Sequence, residues 1–437
     1  MVQNAWDNEE GRMFHLINDD HDAMFMIDLC FFCSSGSNVE EEFYDGDDDW
    51  DSHYQLYKDG MDAGMDGGWG GGRDGEFYHD GDEGSRDAID RNHDSEGIAA
   101  PINVHDNQNY NGSLPSLHYN PYAWTQGLNI IYVDAPVGTG FSYSTTQEGY
   151  YIDDYEAVSQ IYQFLSKWLL AHPQYFENML YVGGDSYSGI PLPMIVQEIF
   201  NGKLGFDAGN QAGTYPFMNL RGYVLGNPKT DDFLDDNSRV PFAHRLTLIS
   251  DELFESAKES CNGDYVNVNE NNTQCVSDIQ EIDELLLQIN LMQVLEPNCQ
   301  TASPRSGKEY LNRRYLEEDI DESLLVQTSS AYWCREYNYV LAGVWANDKS
   351  VRAALNVRNG TIGVWKRCNS SIAYTKTVTS TVDYHRNLSN TNLRALIYSG
   401  DHDLSVTHLG TQYWISLLNL TQYEIWRTWY VDGQVAG

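Results

Sequence analysis

The chain has 437 residues, a formal net charge of −39 at pH 7 and 41% hydrophobic residues. This length fits one large domain with insertions or two ordinary domains, and the apolar fraction is sufficient for a core. So acidic a chain would repel phosphate backbones, so we expect no nucleic-acid partner.

Residues 1–98 differ in composition from the rest. Residues 1–100 hold 27 Asp and Glu against 5 Lys and Arg, whereas the remainder holds 38 against 21. Their Asp, Glu and Gly follow no steady hydrophobic period, which predicts a disordered acidic segment or an error in gene assignment. We therefore expect order to begin near Ser113, in a domain spanning 99–437. No signal peptide and no membrane span are visible in the chain.

Cysteines and glycosylation sequons concentrate in the second half. Five of the seven Cys and five of the six sequons follow residue 260, which favours an oxidising secretory route. Two plausible disulfides are Cys261–Cys275 and Cys299–Cys334. The candidate glycosylation sites are Asn111, Asn271, Asn359, Asn369, Asn387 and Asn419.

The first predicted elements alternate between strand and helix. Residues 129–133 form an apolar run that predicts a buried strand. Residues 134–141 follow as a Gly/Pro loop, and a nucleotide loop is the weaker alternative because no Lys or third Gly follows. Apolar residues at 3,4 spacing then predict an amphipathic helix; they are Tyr155, Val158, Tyr162, Leu165 and Leu169. Residues 178–182 predict a second buried strand, and residues 190–200 a helix.

A serine among glycines joins this strand to this helix, in Gly183-Gly-Asp-Ser-Tyr-Ser-Gly189. Such a sharp strand-to-helix turn is typical of a nucleophile elbow, which presents a serine Oγ at the top of a parallel sheet. The helix N-terminus beyond it offers N–H groups to a developing oxyanion. An ordinary turn serine at Ser186 is the alternative.

The later elements continue an α/β pattern. Residues 220–225 predict a strand ending in Gly226-Asn-Pro228. Residues from about 232 to 345 predict a helical cap inserted between strands. Residues 394–398 predict a late strand, after which Asp403, in preference to Asp401, is the candidate triad acid; an acidic surface turn is the alternative. Alternating strands and helices predict a parallel α/β sheet.

Four stretches together resemble the serine carboxypeptidase-like family of α/β-hydrolases. They are Leu117-His-Tyr-Asn-Pro-Tyr-Ala-Trp124, Val133-Asp-Ala-Pro-Val-Gly-Thr-Gly-Phe-Ser-Tyr143, Gly184-Asp-Ser-Tyr-Ser-Gly189 and Tyr398-Ser-Gly-Asp-His-Asp403. The resemblance implies an α/β-hydrolase fold, with a mixed, mostly parallel sheet flanked by helices and a helical cap. It also implies a secreted or vacuolar location. No feature of the sequence calls for a metal or an organic cofactor.

The residues of these four stretches are most similar to those of the plant branch whose members transfer acyl groups from glucose esters to alcohols. By resemblance, Ser186 is the nucleophile, Asp403 the triad acid and the Tyr187 backbone N–H an oxyanion donor. Asp185 would help to hold a substrate carboxylate. The implied partners are a small-molecule ester donor and an alcohol acceptor. A peptide C-terminus is the partner under the alternative activity, serine carboxypeptidase.

Two departures from the family pattern make the predicted site incomplete. The family's Gly-Gly-Pro-Gly-Cys-Ser stretch supplies a second oxyanion N–H and the expected partner of Cys368; it is not found here. The Gly-His-Thr loop that carries the triad His is not found either. His402 and His408 lie too close in sequence to Asp403, and His385 precedes it. A catalytically inactive, truncated family member is therefore the third hypothesis.

Overall fold

The structure is a computed structural model that describes residues 2–6, 25–30, 102–104, 113–121, 123–204, 218–296, 335–367, 369, 371–431 and 433–435. In chain order its strands are β1 (Val2–Trp6), β2 (Phe25–Cys30), β3 (Ile102–Val104), β4 (Leu117–Tyr119), β5 (Asn129–Asp134), β6 (Ile152–Asp153), β7 (Leu180–Asp185), β8 (Leu220–Gly226), β9 (Tyr374–Thr375), β10 (Arg394–Tyr398), β11 (Tyr430–Val431) and β12 (Gln434–Val435). Its α-helices are α1 (Asp154–Ala171), α2 (Pro191–Leu204), α3 (Asp232–Asn237), α4 (Arg239–Arg245), α5 (Asp251–Ser260), α6 (Thr273–Leu286), α7 (Arg335–Ala346), α8 (Lys349–Ala354), α9 (Val382–Leu388) and α10 (His408–Ser416).

The central feature is a six-stranded sheet in the order β1-β10-β8-β7-β2-β5. All of its neighbouring pairs are parallel except β1 with β10. The strands end nearly in register, since Cys30 pairs with Asp134, Asp185 with Gly226, and Gly226 with Tyr398. The α/β class with a mostly parallel sheet is confirmed, and the carboxyl ends of five strands form one edge.

Local sequence accounts for where the helices begin. Asp153, Ser250 and Thr407 each accept a backbone N–H from the first turn of the helix that follows, as N-cap residues do. On α1 the buried apolar positions are Ala157, Val158, Ile161, Leu165 and Leu169. Tyr155, expected on the apolar face, is instead exposed. Within the predicted helical cap, α6 covers Thr273–Leu286, with its N-cap at Asn272.

The structure corrects the expectation that order begins near Ser113. Strands β1 and β2 come from the acidic segment, and β2 is an interior strand of the sheet, between β7 and the edge strand β5. The hydrophobic run Phe25–Cys30 is short enough that period alone did not distinguish it from its surroundings. The rest of the expectation for residues 1–98 concerns positions outside the described residues.

The two larger apolar cores pack helices against the sheet and around the segment after β10. The larger core packs α1 and α2 against the sheet through side chains such as Ile161, Ile195 and Val182. The second core lies among α4, α5 and α6, and it includes Leu404 and Leu409 from the loop and helix after β10. Hydrophobic burial therefore ties the segment after β10 to helices that the sequence assigns to the cap.

Candidate active site

Ser186 lies at the turn between β7 and α2. The turn is a 3₁₀ segment, Ser186–Gly189, and Ser186 has a φ of +54°. A non-glycine residue in the left-handed region is strained unless its surroundings hold it there, as at a nucleophile elbow. Ser186 is exposed, while the three residues after it are buried. The backbone thus holds an exposed serine hydroxyl at the carboxyl edge of the sheet.

Two glycines permit the close packing of this turn. A Cβ on Gly184 would lie 2.7 Å from the Ser188 Cβ, and one on Gly189 would lie 2.3 Å from the Lys229 carbonyl oxygen. The Lys229 N–H donates to the Ser186 carbonyl at 2.8 Å. The elbow is therefore pressed directly against the chain that follows β8.

Asp403 lies on the loop after β10, at the same edge as Ser186. One of its oxygens, Oδ1, accepts the backbone N–H groups of Ser405 at 2.7 Å and Val406 at 3.0 Å. Charge-assisted bonds of this kind orient a carboxylate strongly. The same loop is bonded to residues 291–294, since the Leu291 carbonyl accepts from Leu404 and Ser405 and the His402 carbonyl accepts from Val294.

Asp154 is the buried anchor beneath the elbow. Its two oxygens accept the hydroxyls of Tyr187 at 2.8 Å and Tyr374 at 2.6 Å, and the backbone N–H groups of Thr377 at 2.6 Å and Val378 at 2.8 Å. Burial and the Asp154 charge raise the pKa of Tyr187 above its usual range, so its hydroxyl stays a donor. The residue that follows Ser186 is thereby fixed by a charged acceptor.

Asp134 is a second carboxyl group at this edge, at the end of β5. Burial raises its pKa to about 6, and the Phe141 N–H, which donates at 2.9 Å, opposes that rise. A Cβ on Gly140 would lie 2.2 Å from the Asp134 carboxyl group, so the loop after β5 closes tightly around it. This carboxyl can therefore change its protonation state in a mildly acidic medium.

The histidines of the described residues have other surroundings. The His402 Nε2 lies 4.0 Å from Asp401, the His408 ring packs edge-on against Phe242, and His385 is buried in the core. Within the described part of the chain, no His nitrogen is hydrogen-bonded to the Ser186 Oγ. Within the described residues, the geometry therefore identifies no histidine as a base for Ser186.

The remaining sequence-predicted residues fall in three groups. Asp185 ends β7, half-buried beside Ser186. Cys261 and Cys275 form the predicted disulfide. Four sequon asparagines, Asn271, Asn359, Asn387 and Asn419, are exposed, and Asn369 is half-buried with its Oδ1 bonded to Ser371. Asn111, Cys299, Cys334 and Cys368 lie outside the described residues.

Sequence reasoning did not single out Asn227, Asp154 or Asp134. Asn227 was noted only as part of Gly226-Asn-Pro228, and Asp134 only as part of the second motif stretch. The partners of Asn227 and Asp154 are distant in sequence, so no local signal identifies these two residues. Among the described residues, no group of three or more His, Cys, Asp or Glu could hold a metal ion, and no described helix has the length and apolarity to cross a membrane.

The chain is similar in sequence to known proteins. A family profile described as serine carboxypeptidase matches residues 101–437. Two relatives from Arabidopsis thaliana, "Serine carboxypeptidase-like 2" and "Serine carboxypeptidase-like 17", are each 43% identical, over 75% and 76% of this chain and 66% and 67% of their own lengths. The chain thus spans about two thirds of the length of these curated relatives.

One solved structure is similar in fold. It is that of Kex1(delta)p, a prohormone-processing carboxypeptidase from Saccharomyces cerevisiae, with a TM-score of 0.54 and 17% identity. The similarity covers 74% of this chain and 64% of the yeast chain.

Proposed function

Because this chain belongs to the serine carboxypeptidase family of α/β-hydrolases, we propose that Ser186 is the nucleophile of an acyl-transfer reaction and Asp403 the acid of its triad. The observation that carries the proposal is the exposed Ser186 at a φ of +54°, on a strand-to-helix turn at the carboxyl edge of the parallel sheet. Strain of this kind persists where the surrounding structure enforces it, and it clusters at reactive sites.

The proposed reaction has two covalent steps. The Ser186 Oγ attacks the carbonyl of a 1-O-glucose ester, the bond from the acyl carbon to the sugar oxygen breaks, and glucose leaves with the proton. An alcohol acceptor then attacks the acyl-enzyme, loses its proton and restores the Ser186 hydroxyl. The Tyr187 backbone N–H would donate to the oxyanion in both steps. The base that moves the protons is assigned to none of the described histidines.

We propose an alcohol as the acceptor because the residues of the four motif stretches are most similar to those of the acyltransferase branch. Peptidase action is the alternative within the same chemistry, and Asp185 is the residue that favours it. Asp185 lies half-buried next to the nucleophile, and a carboxyl group that keeps its proton in acid can donate to a peptide's terminal carboxylate. A secreted or vacuolar location is part of the proposal, supported by the Cys261–Cys275 disulfide and the exposed sequons.

The first experiment tests the acyl-enzyme. The full 437-residue chain is incubated with a fluorophosphonate probe, and the modified peptide is identified by mass spectrometry, with Ser186→Ala as the matched control. We expect one adduct, on Ser186, that is absent from the variant. An unmodified Ser186 in the folded chain would contradict the proposal and favour an inactive family member.

The second experiment separates transferase from peptidase. The chain is supplied with a 1-O-glucose ester and an alcohol, or with a blocked dipeptide near pH 5. Transfer predicts that glucose and the new ester appear in equal amounts with ping-pong kinetics. Release of a free C-terminal residue, with no ester formed, would replace the transferase proposal by the peptidase alternative.

A further inference from the structure

We propose that residues 227–239, and Asn227 above all, position the Asp403 loop against the Ser186 elbow. This inference rests on the proposed function, since it concerns the geometry between the proposed nucleophile and acid. Residues 227–239 run from the end of β8 into the start of α4, and they contact both catalytic loops. We call them the frame segment.

The frame segment is bonded to the elbow on one side. The Lys229 N–H donates to the Ser186 carbonyl at 2.8 Å, and the Lys229 backbone lies so close to Gly189 that a Cβ there would clash. The Thr381 hydroxyl donates to the Gly189 carbonyl at 2.8 Å and lies 3.3 Å from the Thr230 carbonyl. A displacement of the frame segment would therefore move the elbow.

Asn227 bonds the other side of the frame segment to the acid loop. Its Nδ2 lies 3.3 Å from the Ser399 Oγ and 3.2 Å from the Val406 carbonyl, and its Oδ1 accepts the Gly400 N–H at 3.1 Å. Its own N–H donates to the Tyr398 carbonyl at 2.9 Å. One side chain thus spans the loop on both sides of Asp403.

A charged relay makes a second connection between the same two loops. The Lys229 ammonium lies 3.1 Å from Asp236, and Asp236 lies 3.2 Å from the Arg239 guanidinium. The Arg239 Nε donates to the Ser405 carbonyl at 3.0 Å. Burial lowers the pKa of Lys229, but the nearby carboxylates outweigh it and hold that pKa above its usual value, so the relay keeps its charge.

The two connections converge on the groups that orient the acid. The carbonyls of Val406 and Ser405 are held by Asn227 and Arg239, and the N–H groups of the same two residues donate to Asp403. Misplacing a catalytic group by about 1 Å costs on the order of 10²-fold in rate. Asn227 and Arg239 are therefore positioning residues, which act through the backbone that carries Asp403.

The test uses variants that keep the backbone of the frame segment. Asn227 has a φ of +37°, a region that glycine, asparagine and aspartate tolerate. Asn227→Gly removes all three side-chain bonds without strain. Asn227→Asp keeps the bond from Gly400 and can accept from the Ser399 hydroxyl, but it loses the bond to the Val406 carbonyl. The matched control is Asn237→Ala, because Asn237 also bonds two backbone groups, but of Gly263 and Tyr265, away from the acid loop.

Two measurements on the full chain decide the inference. The first is the rate of fluorophosphonate labelling of Ser186 against probe concentration, and the second is amide hydrogen exchange. We expect Asn227→Gly to lower the maximal labelling rate about 10²-fold at an unchanged half-saturating concentration, with Asn227→Asp in between. Exchange over residues 399–406 should accelerate in both, whereas Asn237→Ala should change only exchange near residues 263–265.

Each outcome bears on one claim. Unchanged exchange over residues 399–406 in Asn227→Gly would overturn the positioning role, whether or not Ser186 is reactive. Faster exchange there with an unchanged labelling rate would show that the contact is merely structural. A parent chain that is not labelled at all would sink the proposed function, and exchange alone would then decide whether Asn227 holds the loop.

Discussion

His385 offers a prediction whose size follows from the structure. It lies on α9, fully buried, with its Nδ1 2.9 Å from the Tyr223 hydroxyl and its ring stacked 4.6 Å from Trp414. Its Nε2 has no recorded partner among the described residues. Burial lowers the pKa of His385 from 6.5 to about 3, so the native state keeps it neutral in mild acid.

The sign and the size follow from proton linkage. The folded pKa lies below the unfolded one, so the stability from His385 is present above pH 6.5 and is lost as pH falls towards 3. Between pH 6.5 and pH 5, an interval of about 1.5 pH units, the unfolded chain binds a proton that the folded chain does not. At 1.36 kcal/mol per unit, this costs about 2 kcal/mol of unfolding free energy relative to pH 7.

The assay compares two variants, so that every other titrating group cancels. Tyr223→Phe removes the hydroxyl partner, and the double variant Tyr223→Phe with His385→Phe also removes the imidazole while keeping a ring against Trp414. Unfolding free energies from urea titrations at pH 7 and pH 5 should show the double variant gaining about 2 kcal/mol on the single variant at the lower pH. A difference that stays the same at both pH values would refute the reasoning.

Three further predictions concern groups around the site. Burial raises the pKa of Asp235 to about 7, so its contribution to stability is full below pH 3.8 and is lost as pH rises through 7. Between pH 5 and pH 8 this lowers the unfolding free energy of the parent chain by about 2 to 3 kcal/mol. Asp235→Asn should abolish that decrease in a urea titration at the two pH values. Gly189→Ala places a Cβ 2.3 Å from a backbone carbonyl oxygen, so it should cost about 2 kcal/mol of stability and slow the labelling of Ser186. The control Gly343→Ala, whose Cβ would have nothing within 4 Å, should have neither effect. Equal effects of the two variants would exclude a steric cause. Asp154→Asn turns an amide donor towards N–H groups and should lower the stability measured by thermal unfolding by about 3 kcal/mol. The control Asp153→Asn keeps a good N-cap and should change the stability little. Comparable losses in the two variants would mean that Asp154 is no anchor.

The elements that sequence predicted well are those with a strong local cause. Strand β10 has the predicted bounds, Arg394–Tyr398, because an apolar run between polar turns has few other conformations. The turn at Ser186 was predicted from glycine spacing alone, since a chain that folds back so sharply needs residues without side chains. The exact start of a helix within the cap was not predicted; for α6 it is set by the N-cap residue Asn272.

The interior position of β2 in the sheet could not be predicted from local sequence. Its side of the chain is acidic and lacks period, and β2 pairs with strands more than a hundred residues away. Pairing of this kind is decided by which backbone edges are left open when the other strands assemble. A single short apolar run carries too little information to say which edge it will fill.

The sequence by itself determined the α/β alternation, the serine turn and the acidic residue after the last strand of the sheet, because each depends on neighbours within a few positions. Only the tertiary structure decided what holds them together. Asp154 bonds Val378 across 224 residues, and Asn227 bonds Val406 across 179. Such contacts depend on how distant segments pack in three dimensions, and the local sequence of one segment does not predict its contact with the other. The physical reason is that a hydrogen bond requires proximity within about 3 Å, and only the assembled sheet brings these loops to one edge.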